Sequence, residues 1–125
     1  MARLRCAVIG GGYLGRYHAQ KYAALARCEL VGVVDPDPGA RARLAAELGV
    51  ATFSSHRELL GRVDAVSIAT PTVTHCEVAA DFLAAGVHVL VEKPITATAV
   101  EAVRLIELAR QQGRILQVGH LERFN

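Results

Sequence analysis

Several things are scarce in this sequence, and each shortage removes a class of protein. There are three cysteines in 125 residues, Cys6, Cys28 and Cys76. That odd number, with no CxxC pair and no cysteine–histidine cluster, argues against a disulfide framework and against a zinc or other metal site. Charge of one sign is also missing. Fourteen Lys+Arg stand against 12 Asp+Glu, a net charge of +2, and no basic run occurs, so a nucleic-acid partner is not expected. Apolar runs are a few residues long, too short to cross a membrane. The first residues carry no signal-peptide pattern, so the expected setting is cytoplasmic. Lysine is rare as well. Twelve of the 14 basic residues are arginine, and the two lysines are Lys21 and Lys93.

What is abundant is core material. Hydrophobic residues make up 52% of the chain, enough for a packed interior and incompatible with disorder. The length predicts one domain over residues 1–125. Short apolar runs mark strands at Leu4–Ile9, Leu30–Val34, Val50–Phe53, Ala65–Ala69, Val87–Val91 and Ile115–Val118. Several are apolar on both faces, as strands of a parallel sheet covered on both sides are.

Helical segments alternate with these strands. One runs from Tyr13 to Ala26, and one from Asp37-Pro38 to Gly49. A short one follows Ser54 and Ser55, either of which can cap it. Thr72–Ala85 ends at Gly86, and the last, from Thr96 or Thr98 to Gln112, ends at Gly113. In that last helix Val100, Val103, Ile106 and Ala109 recur at helical spacing. Strict alternation predicts an α/β fold, a doubly wound parallel sheet of about six strands in the order 3-2-1-4-5-6.

The first strand runs into Gly10-Gly11-Gly12-Tyr13-Leu14-Gly15, a G-x-G-x-x-G match. Its place between a strand and a helix is the context that gives such a match meaning. Gly10 allows the tight turn, Gly12 lets backbone approach a pyrophosphate, and Gly15 lets the helix pack on the sheet. The helix start then offers free N–H groups to phosphate. Asp35 ends the second strand, 20 residues after Gly15. A carboxylate there accepts ribose hydroxyls and repels a 2′-phosphate, favouring NAD over NADP. The competing reading is that Asp35 caps the next helix. Arg41 and Arg43, on that helix, read as a solvated face rather than a 2′-phosphate site.

Ligands of such folds bind beyond the carboxyl ends of the strands. There the sequence places Thr70-Pro71, Glu92-Lys93-Pro94 and Gly119-His120. Lys93 suits proton transfer, since an ammonium changes its pKa with burial and a guanidinium does not. The alternative is a surface ion pair at the strand end. His75, in the first turn of its helix, either leans on a nicotinamide or is an ordinary helix residue. His18 reads as packing, and His56 and His88 as structural or exposed.

On Gly10–Gly15, Asp35, the run Ala69–His75 and Glu92-Lys93-Pro94, the chain resembles the Gfo/Idh/MocA oxidoreductase family over its whole length. It looks like that family's N-terminal NAD(P)-binding Rossmann domain. The resemblance implies NAD bound by Gly10, Gly12, Tyr13, Leu14, Gly15, Asp35, Thr70, Pro71, His75 and Glu92. It implies that Glu92 touches the nicotinamide half and that Lys93, the catalytic residue, lies beside the reacting hydroxyl, with Lys-Pro often a cis bond. The last residues, Gln117–Asn125, look like members that act on nucleotide-linked amino sugars at C3, which would bring His120 and Arg123 with Lys93 to the substrate.

Family members continue into a second domain for substrate and subunit contacts, so such a domain is expected after Asn125. The complete protein is then a homo-oligomeric sugar dehydrogenase, and this chain alone binds cofactor without turnover. Two other classes compete. A non-catalytic NAD(H)-binding or sensing module needs Gly10–Gly15 and Asp35 but has no use for Glu92 and Lys93. A methyltransferase also uses a glycine-rich loop, but not this glycine spacing.

Overall fold

The structure, a computed structural model, describes residues 3–119. Six strands form one parallel sheet: β1 (Leu4–Ile9), β2 (Cys28–Val34), β3 (Thr52–Phe53), β4 (Ala65–Ile68), β5 (His88–Glu92) and β6 (Leu116–Gly119). Their order is β3-β2-β1-β4-β5-β6, as the alternation of the sequence predicts. β1 lies between β2 and β4, so the winding reverses beside it. The loops leaving β1 and β4 therefore part at the carboxyl edge, where a crevice opens.

Among the described residues four helices cover the sheet: α1 (Tyr13–Ala24), α2 (Pro38–Leu48), α3 (His75–Ala84) and α4 (Ala99–Gln112). Alternate residues of β1 face opposite layers. Ala7 and Ile9 join Phe82, Leu83 and Leu105 in the larger core, while Val8 joins Ala19, Val33 and Leu44 in the smaller. Caps set the helix ends. Asp37 accepts from the N–H groups of Gly39 and Ala40, Pro38 opens α2, and left-handed Gly49 closes it. Thr98 caps α4, and Gly113 ends it. Ser55, with Glu58 reaching back, caps a 3₁₀ turn at His56–Leu59.

Three expectations change. The segment after Pro71 opens with a 3₁₀ turn, Thr72–Thr74, and α3 begins at His75. The third strand shrinks to two residues, because it is the sheet edge and pairs only through Val33 and Val34. On α4, Val100, Val103 and Ile106 are 80%, 65% and 56% exposed. Of the expected stripe only Ala109 is buried, and it packs on the larger core together with Leu105 and Leu108. Cys6 is buried as expected, and burial beside Cys28 pushes its thiol up to about 12, which keeps it inert. Among the described residues no helix is long and apolar enough to cross a membrane.

Candidate active site

The loop after β1 is shaped by what cannot fit in it. Gly10 has φ +107°, and a Cβ there would lie 2.7 Å from the Ala69 carbonyl oxygen. At Gly15 a Cβ would fall 1.6 Å from the Gly10 carbonyl oxygen. Both positions hold the loop flat against α1 and against the β4 exit. Gly12 is the opposite case, for nothing lies within 4 Å of its virtual Cβ. That open space sits at the N-terminus of α1, which no side chain caps. Its intrahelical bonding starts with Arg16 N–H donating to Gly12 O at 2.8 Å. The preceding amides are those a phosphate would satisfy. Tyr13 is exposed at this start and Leu14 half-buried.

Asp35, half-buried at the end of β2, is tied to the same loop. Its Oδ2 accepts the Gly11 N–H at 2.8 Å, and its Oδ1 accepts the Asp37 N–H at 2.9 Å. The helix cap is made by Asp37, so the competing role for Asp35 belongs to its neighbour. Each Asp35 oxygen keeps acceptor capacity for a further donor. Arg41 is no solvated bystander. Its Nη1 donates to the carbonyls of Asp35 (2.8 Å) and Pro36 (3.1 Å), bracing the turn that carries the carboxylate. Arg43 lines a cleft between α1 and α2 with Gly11, Arg16 and Leu44.

Beyond β4, Thr74 Oγ1 donates to the Pro71 carbonyl (2.7 Å) and accepts from Thr70 Oγ1 (2.6 Å). Pro71 is exposed above this bonded turn. His75 is 1% exposed. Its Nε2 faces the Thr70 carbonyl at 2.9 Å, and its Nδ1 faces those of Pro94 and Ile95, both at 3.1 Å. The ring clasps the loop after β4 to the loop after β5.

At the end of β5 the two charged neighbours part company. Glu92 is buried, with Oε2 2.5 Å from His18 Nε2 on α1. Lys93 is exposed and, among the described residues, has no carboxylate within salt-bridge distance. Its backbone N–H bonds Gly119 O at 3.1 Å, and Lys93-Pro94 is cis.

The sequence-derived residues therefore form a linked circuit along the carboxyl edge. The glycine loop touches Asp35 and the β4 exit, His75 joins that exit to Pro94, and Glu92 returns to α1. His120 and Arg123 lie outside the described residues. His56 and His88 are structural: His56 Nε2 bonds Asp81, and His88 Nδ1 accepts the Ile115 N–H. Sequence reasoning puts His18 on the inner side of the first helix as packing and Arg41 on a solvated face; it does not supply the His18 bond to Glu92, the Arg41 brace or the role of the Gly11 amide. For His18 a signal existed. It stands three residues after Gly15 and so shares the helix face that must meet the sheet, where a histidine needs a polar partner.

The model of an oxidoreductase family with an NAD-binding Rossmann fold matches residues 4–120. The UDP-N-acetylglucosamine 3-dehydrogenase of Acidithiobacillus ferrooxidans is 49% identical over 125 residues, covering 100% of this chain and 39% of that protein. Its solved structure superposes with TM-score 0.88 over 95% of this chain and 39% of that one. GenD2 from gentamicin A biosynthesis, solved in complex with NAD, is 38% identical with TM-score 0.90, over 95% of this chain and 35% of that one. The scyllo-inositol 2-dehydrogenase (NAD(+)) of Bacillus subtilis is 38% identical over 98% of this chain and 37% of its own length. The chain thus spans well under half of the relatives it matches.

Proposed function

Because the chain belongs to the Gfo/Idh/MocA oxidoreductase family, we propose that it is the cofactor half of an NAD-dependent dehydrogenase acting on a sugar hydroxyl, with C3 of a UDP-linked N-acetylamino sugar as the reacting carbon. The residues suit the cofactor. Open space at Gly12 and the uncapped start of α1 take the pyrophosphate, with Tyr13 and Leu14 beside it. Asp35 takes the adenosine ribose, and its carboxylate disfavours a 2′-phosphate. Thr70 and Pro71 border the crevice, His75 acts through the two loops it clasps, and Glu92 faces the nicotinamide half. When bound, NAD supplies the hydride acceptor.

One observation carries the catalytic reading: Lys93 stands exposed at the end of β5 without an acidic partner among the described residues, while adjacent Glu92 is held by His18. An ammonium committed to a salt bridge would be a poor proton carrier. Lys93 Nζ exchanges a proton with the sugar hydroxyl, receiving it when the carbon is oxidised and returning it in the reverse direction. The relatives' unmatched length leaves room for a second domain, which this reading puts after Asn125. That domain completes the substrate pocket together with His120 and Arg123 and makes the homo-oligomer contacts. The isolated chain then binds NAD(H) without oxidising sugar. Three free thiols suit a reducing cytoplasm.

Lys93→Met in the complete enzyme tests this. General acid–base help is worth about 10²–10⁴-fold, so kcat should fall by that factor with NADH affinity unchanged. Lys93→Arg should not restore it, because guanidinium stays protonated. A Lys93→Met enzyme with normal turnover would refute the assignment.

A further inference from the structure

Glu92 is 7% exposed at the end of β5, and its only side-chain partner among the described residues is His18. Both side chains are nearly covered, 14% for His18 and 10% for Glu92. Gly119 lies close to the same oxygen, for a Cβ there would be 3.5 Å from Glu92 Oε2. His18 comes from α1, the helix whose N-terminus closes the phosphate loop. With Glu92 as a carboxylate, the bond is an Nε2–H of His18 donating to Oε2. That bond uses Oε2 and leaves Oε1 without a protein donor among the described residues. A buried carboxylate oxygen lacking a donor is costly unless a ligand provides one.

We propose that His18 is a positioning residue. By fixing Oε2 it holds Oε1 toward a donor of the nicotinamide half, a ribose hydroxyl or the carboxamide N–H. The phosphate-binding helix thereby sets the geometry of the catalytic edge. This rests on the reading of Glu92 as nicotinamide-facing, and the test separates the two.

The chain, its His18→Leu and His18→Gln variants and its Glu92→Ala variant are titrated with NADH and with ADP-ribose, which lacks nicotinamide. Loss of one charge-assisted hydrogen bond corresponds to roughly tenfold in affinity. His18→Leu should weaken NADH by about that factor while ADP-ribose binding stays within about twofold. ADP-ribose binding also reports that the variant is folded. His18→Gln, whose amide N–H can donate, should recover most of the NADH affinity. Equal weakening of both ligands by His18→Leu would overturn the proposal, leaving His18 a support of α1. So would failure of His18→Gln to recover. If Glu92→Ala shifts the NADH to ADP-ribose ratio and His18→Leu does not, the role of His18 alone falls. If Glu92→Ala leaves that ratio unchanged, the reading of Glu92 falls, and the role of His18 with it.

Discussion

The two halves of the carboxyl edge are built by different means. The half proposed to hold the adenosine, from Gly10 to Arg41, is made largely of backbone: a compressed glycine turn, an uncapped helix start and a carboxylate held by two main-chain amides. The half proposed to face the nicotinamide, from Thr70 to Gly119, is made of side chains: His75 on three carbonyls, Glu92 on His18, and Lys93 in the open. Backbone recognition is rigid and general, since every dinucleotide has the same pyrophosphate. Side-chain recognition is adjustable and can be specialised to one substrate. A domain divided this way can keep its cofactor while its chemistry changes.

Substitutions can break the two halves separately. The largest effect is expected at Gly15, where any Cβ collides with the Gly10 carbonyl. Gly15→Ala should cost about 3 kcal/mol or more in denaturant unfolding. Gly12→Val, set in open space, should leave the unfolding midpoint nearly unchanged. It should nonetheless abolish NADH binding in a calorimetric titration, by filling the place of the pyrophosphate. Retained affinity in a folded Gly12→Val chain would take the loop out of the site.

Asp35→Ala should act on selectivity more than on affinity. NADH is expected to weaken roughly tenfold and NADPH to gain relative to it, as a competitive titration would show. The smallest effect lies away from both halves. The Arg5 guanidinium and backbone N–H hold the Asp64 carboxyl below its usual range. A depressed folded pKa stabilises the fold above the unfolded value of about 4 and loses that contribution as pH falls through the folded one. Asp64→Asn should therefore flatten the acid limb of the stability profile slightly, and less so in high salt, because the pair is exposed.

The backbone half was also the more legible one. Glycine spacing and the distance to Asp35 are local constraints written in sequence order, and so are the alternating strands that set the sheet order. Legibility fell where partners lie far apart in the chain. The His18–Glu92 bond spans 74 positions, and nothing near either residue announces it. The clasp made by His75 likewise depends on loops brought together by the sheet. On α4, helical spacing picks out Val100, Val103, Ile106 and Ala109, but packing against α3 and the sheet keeps only Ala109 of these and adds Leu105. Asp37 rather than Asp35 caps α2, because Pro38 takes the first helical position directly after it.

The most direct test of the central claim is an equilibrium titration of the unmodified chain with NADH and NADPH under the same buffer and salt. The account predicts saturable binding of NADH and weaker binding of NADPH, because Asp35 is anchored to the loop with acceptor capacity toward a ribose hydroxyl and none for a phosphate. Tighter binding of NADPH, or no binding of NADH by the folded chain, would contradict it.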